Sequence, residues 1–228
     1  KVYDYAENNF LPAALKDTTL MYVLTVIAQD QGENLLSGLF IGRERRVFEE
    51  AVKLSQEKNI TFLDEPLRKA VVYLDPEEFK TTWVGNKAIY RTRMALADNG
   101  HLIIIAPGVR QFGEDKGIDT LIRKYGYVGR DKILAYTKEN EDLQGDLSAA
   151  AHLIHGSSDG RFKITYATDK LTKEEIESVG FEYMPLEEAL NTYDINKLKD
   201  GFNTLETGEE IFYISNPALG LWADKSKF

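Results

Sequence analysis

Lys87 stands where a parallel α/β sheet would put a ligand-binding cation. It opens a predicted helix after the Trp83–Gly85 loop, close to the end of a short predicted strand, Lys69–Leu74. Ligands of such sheets gather beyond the carboxyl ends of the strands, where an ammonium group meets a carboxylate or a developing alkoxide. Judged by spacing alone a lysine there is an ordinary solvated helix cation, so position is its only warrant. Arg91 and Arg93 follow on the same predicted helix and, two residues apart, face different sides.

Arg110 and Gln111 come next. They lie in the stretch Pro107–Asp115, directly after His101–Ala106, the strongest predicted strand in the chain. Gly108 and Gly113 allow backbone to approach a ligand, and Arg110 with Gln111 suit a carboxylate or hydroxyls. The plain alternative is a connecting loop. Of the three histidines, His152 and His155 sit three apart on a predicted helix and share a face. Two imidazoles without a carboxylate nearby make a poor metal site. They read more simply as C-terminal helix residues facing the dipole, or as substrate contacts beside the polar turn Gly156-Ser157-Ser158. His101 reads as structural. The Arg43–Arg46 charge run reads as the wet side of a helix, and Ser215-Asn216-Pro217 closes the last strand on the same edge.

Several chemistries are unsupported by the 228 residues. There is no G-x-G-x-x-G, no G-x-x-x-x-G-K-[ST], no H-E-x-x-H and no G-x-S-x-G. Cysteine is absent, which removes disulfides, thiolate metal sites and a cysteine nucleophile and fits a cytoplasmic protein. Lys+Arg number 28 against 37 Asp+Glu, a net charge of −9 that argues against a general nucleic-acid binder. No apolar run approaches the roughly 18 residues that span a bilayer, and no signal peptide is expected, since no charged n-region with an apolar h-region appears. The chain starts at Lys1 without a methionine, so we expect further sequence upstream.

The elements that must position these residues alternate. Leu20–Ala28 and Leu35–Ile41 read as an antiparallel hairpin about the Asp30–Gly32 turn. Helical spacing covers Arg43–Lys58, Asn86–Ala97, Ile118–Tyr125, Arg130–Lys138, Leu147–His155 and Leu186–Tyr193. Thr172 with Glu175 has the spacing of a capping box. Strands are predicted at Lys69–Leu74, His101–Ala106, Phe162–Ala167, Val179–Tyr183 and Ile211–Ser215. This order predicts an α/β fold: a mostly parallel sheet with helices on both faces and one antiparallel hairpin near the N-terminus.

The order and spacing of six segments resemble the C-terminal domain of the nickel-pincer-nucleotide lactate racemase family, which includes 2-hydroxyacid and sugar-acid racemases and epimerases. The segments are Tyr22–Ile27, Leu36–Gly42, Val71–Asp75, the Lys87 helix, Gly100–Ala106 and Asn216–Gly220. The likeness runs from about Tyr22 to Trp222. It implies that residues 1–228 form a single C-terminal α/β domain of a larger two-domain enzyme. That domain closes over a nickel pincer nucleotide held by the N-terminal domain, which also supplies two acid–base histidines. The reaction implied is hydride removal from C2 of a 2-hydroxy acid and its return to the opposite face. A lysine of the C-terminal domain binds and polarises the substrate, and Lys87 matches it.

Two departures bear on the substrate. The family's lactate enzymes carry glutamine where Val84 stands, and tryptophan in the segment matching Gln144-Gly145-Asp146. Gly145 would leave a larger pocket, in which Gln111 and Gln144 could meet extra hydroxyls, so an aldonic acid such as mannonate or gluconate is expected rather than lactate. The three histidines do not match the family's catalytic positions. The chain alone is therefore expected to hold neither cofactor nor metal, and to turn nothing over. The expected partners are a small 2-hydroxy acid and the protein's own N-terminal domain, with neither nucleic acid nor membrane. Two other readings stand beside this one: a sugar-acid oxidoreductase using a nicotinamide cofactor, opposed by the missing glycine fingerprints, and a non-catalytic binding module.

Overall fold

A computed structural model describes residues 5–11, 21–30 and 33–227. The chain divides into two compact units, Lys1–Ile60 and Thr61–Phe228. In the first, β1 (Tyr22–Asp30) and β2 (Glu33–Gly42) pair antiparallel, with Val23 opposite Ile41 and Thr25 opposite Leu39. This is the expected hairpin; Leu20 and the turn residues Gln31 and Gly32 lie outside the described residues. α1 (Arg45–Asn59) packs on both strands. It comes close because Gly38 has no side chain: a Cβ there would lie 2.5 Å from the Leu54 Cδ2.

β3 (Ile60–Leu63) pairs with Leu221–Asp224 near the end of the chain. The main sheet begins with β4 (Leu67–Tyr73). Two one-turn helices follow, α2 (Thr82–Gly85) and α3 (Lys87–Tyr90), and then β5 (Leu96–Ile105). Four helices lead to the next strand: α4 (Lys116–Tyr125), α5 (Arg130–Glu139), α6 (Glu141–Gly145) and α7 (Leu147–His155). β6 (Lys163–Thr168), α8 (Lys173–Ser178), β7 (Glu182–Pro185) and α9 (Leu186–Thr192) come next. β8 (Gly201–Thr204), β9 (Glu210–Ile214) and β10 (Leu221–Asp224) complete the strands. The sheet order is β7-β6-β5-β4-β9-β8, and only β8 runs antiparallel to its neighbour.

Side chains alternate between two buried faces, which is why these strands read as unbroken apolar runs. Ala70, Val72, Leu102, Ile104, Ile164, Tyr166, Phe212 and Ile214 pack with Ile122, Ile133, Leu153 and Ile176 of the helices. Val71, Ile103, Ile105, Ala167, Ile211 and Tyr213 pack on the other side with Ala189 of α9 and Tyr193 just beyond it. The predicted fold class is the one found. α8 also carries the expected capping box, Thr172 and Glu175 each serving the other's amide.

Three local expectations need correction. Trp83–Gly85, expected as a loop, belongs to α2, and the helix over Asn86–Ala97 is instead α3 and turns, because the sheet claims its far end: Leu67 donates to the Ala95 carbonyl (2.8 Å), and Leu96 pairs with Leu67. Thr92 helps break it, its hydroxyl donating back to the Ala88 carbonyl at 2.6 Å. The strand at Val179–Tyr183 shifts to Glu182–Pro185 because Gly180, at φ +93°, turns the chain out of α8 first. The short strands β3, β8 and β10 and the one-turn α6 go unread in the sequence; a four-residue strand shows no periodicity of its own.

Gly113 is held by the first turn of α4. A Cβ there would lie 2.3 Å from the Asp119 nitrogen and 2.7 Å from the Ile118 carbonyl carbon, both backbone. Gly113→Ala is expected to cost about 1–3 kcal/mol, as overpacking does. Urea denaturation followed by circular dichroism should show a lower midpoint at unchanged slope.

Candidate active site

The loops after β4 and β5 are joined before either helix begins. Asp75 turns the first loop, its carbonyl accepting from the Phe79 amide at 2.9 Å. A Cβ on Gly108 would meet Pro76 Cα and the Phe79 carbonyl oxygen at 2.6 Å, so the second loop presses directly on the first. Arg110 donates from its amide to the Lys80 carbonyl (3.0 Å), Thr82 to that of Gln111 (3.1 Å) and Trp83 to that of Phe112 (2.9 Å). Thr81 caps α2, accepting from the Val84 amide, and donates to Glu114 Oε1 at 2.5 Å. Both α2 and the residue after it, Asn86, are therefore set by the edge of the sheet.

Lys87 opens α3 and is part-buried. Its Nζ lies 5.8 Å from the centroid of the buried Phe79 ring, within cation–π range. No carboxylate of the described residues pairs with it. α3 packs on Pro217–Leu219, the 3-10 turn that follows β9. That places it beside the chain leaving β9, the neighbour of β4 in the sheet. Both loops leave the carboxyl ends of parallel strands, where ligands of such sheets gather.

A second group of side chains converges on the same segment. The ring of His152 lies against Trp83, centroids 4.4 Å apart, and its Nε2 is 2.9 Å from the Tyr127 hydroxyl. That hydroxyl is 2.9 Å from Thr82 Oγ1, and Thr82 donates to the Phe112 carbonyl at 3.0 Å. The Tyr166 hydroxyl donates to Asn86 Oδ1 at 2.7 Å. Asn86 Nδ2 is buried without a hydrogen-bond partner, and Gly156 must lack a side chain there: a Cβ would sit 2.5 Å from that nitrogen. Burial drives the Tyr127 and Tyr166 phenols far above their ordinary range. It drives His152 down to about 4, with a lesser push from His155.

The other predicted residues are placed differently. Arg110 is exposed, its side chain in no ion pair. Gln111 spends its amide nitrogen on the Gly113 carbonyl (2.8 Å). Gln144 is exposed on α6, and His155 is exposed at the end of α7. The structure thus brings His152, but not Gln144, onto the Lys87 segment. His101, half-buried, shares a 2.8 Å hydrogen bond with Thr165, consistent with structural duty. Arg93 pairs with Asp159 at 2.7 Å, while Arg91 reaches the Gly220 carbonyl, so the two do part company. Thr82, Trp83, Asn86, Tyr127 and Tyr166 escape sequence reasoning. Their only signal is Trp83, one turn ahead of Lys87. Among the described residues, no group of three or more His, Cys, Asp or Glu could hold a metal ion, and no helix is long and apolar enough to cross a membrane.

This edge belongs to a lactate racemase-like α/β fold. The chain is similar to the lactate racemase apoprotein of Thermoanaerobacterium thermosaccharolyticum, with a TM-score of 0.60 and 15% identity over 95% of this chain and 50% of that one. It is similar also to a structural-genomics protein of Thermotoga maritima, with a TM-score of 0.59 and 24% identity over 85% of this chain and 48% of that one. The chain thus spans about half the length of each, and at these identities the likeness is one of fold. No protein-family model matches the sequence, and no curated protein matches it.

The low value for His152 has a measurable consequence. An unfolded imidazole titrates near 6.5, so the unfolded chain takes up this proton before the folded one does. Stability is therefore lost as pH falls from about 6.5 towards 4, by up to about 3 kcal/mol for this group. His152→Gln, which cannot titrate, should lose correspondingly less over that window in chemical denaturation at stepped pH. Parallel curves for the two proteins would refute the buried neutral imidazole.

Proposed function

We propose that this chain is the substrate-cleft half of a 2-hydroxyacid racemase or epimerase, acting by hydride removal and return at C2 of a sugar acid. One observation carries the reading: a lysine ammonium with no carboxylate partner among the described residues, over a buried aromatic ring, at the carboxyl edge of a lactate racemase-like sheet. An unpaired cation in that place is built to take a carboxylate or to stabilise charge growing on the C2 oxygen. Lys87 does the binding and polarising. The ring of Phe79 and the turn at Pro217–Leu219 fix where the ammonium can reach.

In this reading the hydride acceptor is a nickel pincer nucleotide, which supplies the redox chemistry when bound. The described residues of this chain offer no ligand set for nickel. Holding the cofactor, and the acid–base histidines, are accordingly assigned to an N-terminal domain, and the protein as a whole to the cytoplasm. The polar residues around the edge, Arg110 and Gln111 on one loop and His152 on α7, favour a substrate with more hydroxyls than lactate. Gln144 and His155 belong to this proposal less directly, being exposed on α6 and α7.

The test is a panel of 2-hydroxy acids offered to the intact, nickel-loaded protein, with Lys87→Ala beside the wild type. Loss of one charge-stabilising donor costs about 10²–10³ in rate. Lys87→Ala should lower kcat/KM by that factor and leave the melting temperature nearly unchanged. An unchanged rate removes Lys87 from the reaction, and lactate as the best substrate removes the sugar acid.

A further inference from the structure

We propose that His152 presents an unprotonated Nδ1 beside Trp83, and that this nitrogen accepts a hydrogen bond from a hydroxyl of the bound acid. The proposal rests on the reading of this edge as a hydroxyacid site and adds a subsite that selects polyhydroxy acids.

The direction of a buried hydrogen-bond chain assigns the tautomer. Thr82 has one hydroxyl hydrogen, and it serves the Phe112 carbonyl. With that hydrogen on Phe112, the Tyr127 hydroxyl donates to Thr82 and its oxygen accepts from His152 Nε2, the arrangement the proposal takes. A neutral imidazole with its proton on Nε2 has a lone pair on Nδ1. Asn86 Nδ2 is the one buried, unpartnered side-chain polar atom among the described residues. His152 Nδ1 makes no hydrogen bond either, so it reaches the surface.

Two links bring that nitrogen to the substrate edge. Trp83, which packs on the imidazole at 4.4 Å, lies one turn before Lys87. Gly156, one turn beyond His152, presses on Asn86, the residue before Lys87. The chemistry of the pair then selects the ligand group. A lone pair repels a carboxylate and welcomes an O–H, while the half-buried indole offers an apolar wall to a carbon chain. The carboxylate end of an aldonate goes to Lys87, and a hydroxyl farther along meets His152. Lactate has no such hydroxyl.

Long-range proton–nitrogen NMR of the ¹⁵N-labelled chain reads the tautomer directly, and titration with gluconate and with lactate reads the contact. The expected result is Nε2–H, with the Nδ1 signal of His152 shifted by gluconate and not by lactate. His152→Gln keeps a donor for Tyr127 and removes the Nδ1 acceptor; it should weaken gluconate about tenfold relative to lactate, the worth of one hydrogen bond. His152→Asn returns a polar atom near the Nδ1 place and should restore the gluconate preference, with a lower melting temperature from the lost Tyr127 contact. Lys87→Ala should weaken both acids together. A proton found on Nδ1, or a gluconate-to-lactate ratio unmoved by His152→Gln while Lys87→Ala still weakens both, overturns the subsite and spares the hydroxyacid reading. If neither acid binds the wild-type chain, the hydroxyacid reading fails and the subsite falls with it.

Discussion

The hydroxyl of Tyr166, fully buried on β6, donates to Asn86, fully buried between α2 and α3. A polar pair without access to water holds its geometry tightly, because parting would strand a donor and an acceptor at a cost of about 1–3 kcal/mol each. That bond ties β6, one strand in from the edge of the sheet, to the residue immediately before Lys87. Around it, the loops after β4 and β5 exchange backbone hydrogen bonds at Gln111 and Phe112, and Phe181 stacks between Tyr166 and Tyr127. Two helices of four residues would not stand alone in water. Here they keep their shape because the sheet edge dictates where they begin and a buried side chain holds the joint between them.

From that joint the rest of the edge follows. α3 reaches the turn after β9, so Lys87 stands between that turn and the Phe79 ring of the loop after β4, and α7 lays His152 on Trp83. The same packing explains why the imidazole stays neutral: a charged ring would be desolvated against an indole and a phenol with no anion to compensate. Gly156 matters for a related reason. Its missing side chain is what lets α7 end against Asn86.

Much of this was legible before any coordinates. The apolar runs at Val71–Leu74 and His101–Ala106 announced strands covered on both sides, and the spacing of Leu147–His155 gave a helix at its observed bounds. Lys87, Arg110 and Gln111 stand out as candidates by their positions after strands. The segment Asn86–Ala97 misled because its apolar residues keep helical spacing while its far end is taken by pairing to Leu67, a partner 29 residues upstream. Tyr127 and Tyr166 could not be found at all. Tyrosine in a loop and tyrosine in a strand carry no local mark of the hydroxyl's partner.

What the sequence determined by itself was the alternation of strands and helices, the absence of thiol chemistry and of the common nucleotide loops, and a lysine that follows a strand end along the chain. These are properties of neighbours: period, composition and spacing within some ten or fifteen residues. Tertiary structure alone decided which polar atoms are shut away from water and which of them meet. Thr82, Tyr127 and His152 are 45 and 25 residues apart in turn. Only the closing of the sheet, driven by burial of its two apolar faces, brings such distant groups within hydrogen-bonding reach of one another.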